Sequence, residues 1–261
     1  MMDLVLQIVL PFVLSALIVI LITIVAEKYG TKVGGIIGTL PTTIIIAYVF
    51  IALNQGIVFA SDSVAVVPAE MGVNLVFICV FAVLAYRSTI VALFGSFFIW
   101  IILSSILLFL NMNNLYLSIL IFTVSMISTF IVLEKKFKIK SQGKRTIHYT
   151  PLKILLRGIL TGTIITISVL LSNVGEVLSG IFTVFPAILS STMLITVKEH
   201  GPNFSAGIAK SMVFGSPSVM SYAASIHFLY PIYGIFWGSI FAFIISVIVT
   251  LIIFKLRKKI S

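Results

Sequence analysis

Residues Gly30–Pro41 read GTKVGGIIGTLP, and the same punctuation returns at Gly175–Pro186 as GEVLSGIFTVFP. Gly30 pairs with Gly175, Gly35 with Gly180 and Pro41 with Pro186 at one constant offset, since 175 − 30, 180 − 35 and 186 − 41 all equal 145. Gly56 and Phe59 carry that register onto Gly201 and Phe204 without a gap. The spacing reads as two copies of one unit. Both copies are embedded in apolar sequence, so the medium has to be settled next.

Of 261 residues, 60% are hydrophobic and 9% charged, with a mean hydropathy of +1.26. A soluble domain carries about 25% charged residues. Apolar runs of about 20 residues recur along the chain, each long enough to cross a bilayer core of about 30 Å. The runs are apolar all round rather than alternating, which excludes a transmembrane barrel. The single cysteine, Cys79, sits within an apolar run and reads as packing. The run from Leu4 to Ala26 has no basic region before it and is too long for a signal peptide, so it reads as a retained helix.

The spacing predicts an all-α polytopic membrane protein with about nine transmembrane helices. They run Leu4–Ala26, Val33–Leu53, between Ile57 and Tyr86, Thr89–Leu110, Leu115–Leu133, Ile154–Leu171, Val177–Val197, between Gly201 and Leu229, and Ile232–Phe254. Residues 1–110 form the first four-helix repeat, 111–150 a connecting helix and basic loop, and 151–261 the second repeat. An even number of spans per copy plus one connector turns the second copy upside down. The result is a pair of inverted repeats of the kind secondary transporters use. Duplication for packing alone is the competing reading.

Charge placement tests the count. Lys28, Lys32, Arg87, the cluster Lys135, Lys136, Lys138, Lys140, Lys144, Arg145 and Lys153, then Arg157, Lys198 and the tail Lys255–Lys259 fall on one side. Asp3, Asp62, Glu70 and Glu176 fall on the other, without a Lys or Arg. Positive-inside bias then places the C-terminus in the cytoplasm and the N-terminus outside, in a plasma membrane. The net charge of +10 reflects that bias and contact with anionic lipid headgroups, not nucleic acid. Association into homo-oligomers is left open.

Candidate site residues cluster at the third helix of each copy. Pro68 and Gly72 interrupt one, and Gly215-Ser216-Pro217-Ser218 interrupt the other. Backbone freed at membrane depth must be satisfied by protein, water or a solute. Asp62 precedes the first interruption, Glu70 lies beside it, and Lys210 precedes the second. An intramembrane lysine costs about 3 kcal/mol or more and should face a cavity or a partner, for which Asp62 and Glu70 are the candidates. Placement of the two carboxylates in an outer loop is the equal alternative. Thr42 follows Pro41 and Ser190 follows Pro186; these hydroxyls are secondary candidates, because such groups usually bond their own helix. Phosphate-cradling loops, HExxH, GxSxG and metal-ligand spacings are absent, so the chain reads as a non-enzyme with no cofactor and no metal.

The stretch SALIVILITIVAEKYGTKVGGIIGTLPTTIIIAYVFIAL resembles the opening of the small GlpM-type membrane proteins. Glu27, Lys28, Gly30, Gly35, Leu40, Pro41 and Thr42 carry the pattern, and Lys210, Ser211, Pro217 and Ser218 match the third span of that family. Asp62 replaces the basic residue in the first copy. The resemblance implies a double-length, internally duplicated relative and names no substrate. The functional expectation is a secondary transporter or permease for a small solute, with a midplane site at the two interrupted helices. A lipid or lipid-phosphate translocase, or a non-transporting assembly subunit, is the alternative.

Overall fold

The computed structural model describes residues 4–37, 40–136 and 149–260. Eleven α-helices follow one another, and no strand occurs among the described residues. They are α1 (Leu4–Ile37), α2 (Thr42–Gln55), α3 (Ile57–Ser63), α4 (Val67–Leu84), α5 (Thr89–Phe109) and α6 (Leu115–Ile131), then α7 (Pro151–Leu171), α8 (Glu176–Thr183), α9 (Ala187–His200), α10 (Pro202–Gly215) and α11 (Pro217–Ile260). A 3-10 turn at Val64–Val66 links α3 to α4, and α6 ends in a π-helical turn at Val132–Lys136. Gly234, at φ 71°, divides α11. Among the described residues seven helical stretches are long and apolar enough to cross a membrane, and Thr42–Gln55 is a shorter apolar helix. The chain is a multi-pass helical membrane protein. Its outward faces say the same: Phe94, Phe98, Phe109, Tyr116, Ile232 and Phe236 are exposed, which only lipid accommodates as a continuous apolar surface.

The backbone takes one turn twice. Pro41 (φ −78°, ψ 43°) and Pro186 (φ −75°, ψ 39°) adopt matching angles ahead of α2 and α9. Thr42 N–H donates to Leu40 O at 2.8 Å, and Ala187 N–H to Phe185 O at 2.7 Å. Gly56 (φ 93°) and Gly201 (φ 80°) then close α2 and α9 with left-handed conformations. Their N–H groups cap Ala52 O and Val197 O, both at 2.9 Å. A Cβ at either glycine would meet open space, so the glycine is there for its dihedral angle. Gly56→Ala and Gly201→Ala should therefore each cost about 1–2 kcal/mol of stability through backbone strain alone. Equal drops in thermal stability of the purified variants would bear this out.

Two expectations about the helices need correction. No loop separates Ala26 from Val33; α1 runs without interruption to Ile37. Glycines are tolerated within a helix at about 1 kcal/mol each, so Gly30, Gly34 and Gly35 do not end it. Gly38 and the basic-loop residues Lys138, Lys140, Lys144, Arg145 and His148 lie outside the described residues. The third helices, moreover, are scarcely interrupted. Ser63, Val64, Val66, Val67 and Ser216 all keep right-handed helical angles. Pro68 and Pro217 stand in the first turns of α4 and α11, where a missing N–H removes no helical bond. Gly72 serves packing: a Cβ there would lie 3.2 Å from Phe122 Cα and 3.0 Å from Ser125 Oγ of α6.

Polar contacts sort the helix ends into two groups. At one end Gln7 donates to Asn54, Asn54 reaches Ser172 and Asn173, Gln55 reaches Asn173, and Ser61 pairs with His227. At the other end Glu134 pairs with Lys210, Lys153 with Glu199, and Tyr86 bonds Asn203 at 2.7 Å. Helices α1 and α7 pack antiparallel through glycines. A Cβ at Gly162 would lie 2.7 Å from Phe12 O, and one at Gly158 would lie 2.8 Å from Ile20 Cγ1.

Candidate functional site

Helix α8 is 8 residues long and stops at Thr183, inside an apolar span that continues to His200. At 1.5 Å per residue that stop lies roughly 12 Å along the helix from its start. Val184 has left the helical region (φ −118°, ψ 21°), and Pro186 cannot donate to restore it. Carbonyls freed here need partners from elsewhere in the protein. Asn74 of α4 supplies one, donating from Nδ2 to Val184 O at 2.6 Å.

One turn earlier on the same face of α4 stands Glu70, fully buried. Ser104 of α5 donates to its Oε1 at 2.8 Å. The indole of Trp100 lies beside the same carboxyl and interacts with it, short of the geometry of a full hydrogen bond. Trp100 also packs edge-on against Phe182 and Phe185, the residues that flank the break. The break, the carboxyl and the indole therefore form one constellation built from α4, α5, α8 and α9. Within it Glu70 Oε2, Asn74 Oδ1 and Trp100 Nε1 are buried with no hydrogen-bond partner. Each such group costs about 1–3 kcal/mol when left unpaired; the Trp100 donor and the Glu70 acceptor lie next to one another, and Asn74 Oδ1 adds a further acceptor at the break.

Tyr48 of α2 closes the other side of the break. It is fully buried, donates to Ser63 O at 3.2 Å and lies beside Thr183. Tyr222 and Tyr230 are buried near it, and the Tyr230 hydroxyl bonds Ser239 Oγ at 2.8 Å. Val184 touches both of the hydrophobic clusters that make up the interior, so the break sits where the two cores meet.

The residues expected from sequence scatter around this centre. Only Glu70 belongs to it. Asp62 is half-buried two turns away on α3, close enough to Glu176 for their charges to interact. Lys210 pairs with Glu134 at the basic end, a partner that the sequence reading does not name. Pro68 is buried beside the constellation without opening the helix, and Pro217 is buried at the start of α11. Ser216 bonds back to Val213 O at 2.8 Å, Ser190 bonds back to Ala187 O at 3.1 Å, and Ser218 is fully buried. Thr42 is half-buried at the start of α2. Asn74, Trp100 and Ser104 were not foreseen. Their signal was present as polar or amphipathic groups on otherwise apolar runs, with Asn74 placed four residues after Glu70.

The Lys210–Glu134 pair is open to water on its Glu134 side, whose side chain is 45% exposed. Lys210→Met should accordingly cost roughly 1 kcal/mol or less. A double-mutant cycle with Glu134→Gln, read by thermal unfolding, measures the pair directly. Among the described residues no group of three or more His, Cys, Asp or Glu is placed to hold a metal.

A family model described as a protein of unknown function (DUF3147) matches residues 8–114, which span α1 to α5 and the cap of α6. That description differs from the GlpM-type resemblance and names no activity. No curated protein and no solved structure matches the chain.

Proposed function

We propose that the chain is a secondary transporter for a small solute, built from two inverted copies around the break at Val184–Pro186. The observation that carries this reading is non-helical backbone within an apolar span, faced by Glu70, Asn74 and Trp100 with unused hydrogen-bonding capacity. Broken helices whose ends meet a buried ionisable group are how transporters assemble midplane sites. In this scheme Glu70 carries the coupling proton, and the break supplies backbone groups to the solute.

Inverted duplication is supported by the offset of 145 and by the paired turn angles at Pro41 and Pro186 and at Gly56 and Gly201. The family match over residues 8–114 is supportive too, since it covers close to one copy. The basic end is the cytoplasmic one in this reading, with the N-terminus outside in the plasma membrane. The site itself is not symmetric. The first copy contributes Glu70 and Asn74, and the second contributes the break they face.

The test is electrical. Proteoliposomes of the full chain on a solid-supported membrane are challenged with a panel of sugars, amino acids, organic acids and inorganic ions under a proton gradient. A solute-dependent current that vanishes in Glu70→Gln is expected. Absence of current for every solute class would remove the reading in favour of a non-transporting membrane subunit.

A further inference from the structure

Arg157 of α7 is buried, with only 9% of its surface exposed, although it lies within an apolar span. Its Nη1 donates to Thr192 Oγ1 of α9 at 3.1 Å, and the ring of Tyr149 covers its guanidinium at 5.2 Å. Its Nε is buried without a hydrogen-bond partner. The neighbouring carboxylate, Glu199, is engaged by Lys153, one turn before Arg157 on the same helix. Among the described residues, then, a permanent cation is held away from water by neutral partners alone, the Thr192 hydroxyl and the side chain of Tyr149. A buried guanidinium in that state has strong demand for an anion.

The geometry around it specifies which anion. Thr192 accepts from Arg157 through its Oγ1, and its own hydroxyl proton remains for donation. One turn before Thr192 on the same face lie Ile188 and Leu189, in the first turn of α9, where backbone N–H groups have no helical acceptor. That helix begins at the Val184–Pro186 break and has 14 residues, so its positive pole is directed into the protein rather than at bulk solvent. Three donors are thus available on α7 and α9: the Nε edge of the guanidinium, the threonine hydroxyl and, one turn away, the start of α9. A tetrahedral phosphate can use all three, whereas a planar carboxylate is satisfied by the guanidinium alone.

We infer that Arg157, Thr192 and the first turn of α9 form a binding position for a phosphate group. The inference rests on the transport reading for its purpose, because it makes the solute, or a lipid headgroup, a phosphate-bearing molecule. Its binding test does not depend on transport.

The experiment measures thermal unfolding of the purified full chain in two arms. In the first, detergent-solubilised protein is titrated with inorganic phosphate against chloride at matched ionic strength. In the second, nanodiscs of phosphatidylcholine are compared with nanodiscs containing phosphatidylglycerol. A saturable rise in Tm with phosphate identifies a soluble phosphate compound. A rise only with phosphatidylglycerol identifies a lipid headgroup. Either rise should disappear in Arg157→Gln and persist in weakened form in Arg157→Lys. No specific rise in either arm for the parent protein overturns the inference, and so does a rise that Arg157→Gln leaves intact. Should Arg157→Gln fail to fold, Thr192→Val carries the comparison and should weaken the response. A positive result here beside silent proteoliposomes would retain the phosphate site and discard transport.

Discussion

Gly180→Ala is expected to be strongly destabilising. A Cβ at Gly180 collides with both the carbonyl oxygen of Ser63 and Cγ1 of Val66. The first of these is backbone, and it already accepts the Tyr48 hydroxyl, so relief by movement would break a buried hydrogen bond. Overpacking of this kind costs about 3 kcal/mol. It also separates α8 from the 3-10 turn between α3 and α4, the contact that holds the break against α4. Thermal unfolding and monodisperse yield in detergent check the result. Gly175→Ala is the control, because a Cβ there meets nothing and its extended backbone suits any residue. Equal stability of the two variants would show that α8 is not clamped as described.

Glu70→Gln is expected to preserve the fold and reduce the solute-coupled current to the level of empty liposomes. Glutamine keeps the size of the side chain and an acceptor for Ser104, so stability should change by only about 1 kcal/mol. What it removes is the capacity to take up and release a proton beside the Val184–Pro186 break. Asn74→Leu attacks the same place from the other side by leaving Val184 O unpaired, and it should lower both stability and current. Current in Glu70→Gln equal to that of the parent would exclude Glu70 as the coupling group.

The membrane class was legible in composition, and the punctuation at a fixed offset was legible as a pair of identical backbone turns. Turn chemistry depends on a few residues in sequence order, which is why the Pro41/Pro186 and Gly56/Gly201 pairs stand out in sequence, although both prolines read there as lying inside continuous spans. The break was read one helix too late. Pro68 and Pro217 look like breaks in sequence, yet a proline in a first turn removes no bond, and that position is visible only once the helix start is known. Pro186 falls among apolar neighbours inside the expected span Val177–Val197, yet it stands where the chain leaves the helix. Lys210 was assigned the wrong partner for a related reason. Glu134, 76 residues earlier by 210 − 134, belongs to the end of the connector, and only folding brings the two together. Arg157 was counted among surface cations because it lies six residues after Pro151; its burial follows from the approach of α9, which no local pattern encodes.

The glycine-mediated pairing of α1 with α7 bears on how the protein is made. Phe12 and Gly162 touch, yet 150 residues of synthesis separate them, by 162 − 12. The first helix therefore enters the bilayer long before its partner leaves the ribosome, with its contact face turned to lipid or to the insertion machinery. Docking is postponed until the second half emerges. Assembly of the first half is thus completed from outside it, and the two halves, translated as separate polypeptides broken within residues 137–148, should still find one another in the membrane.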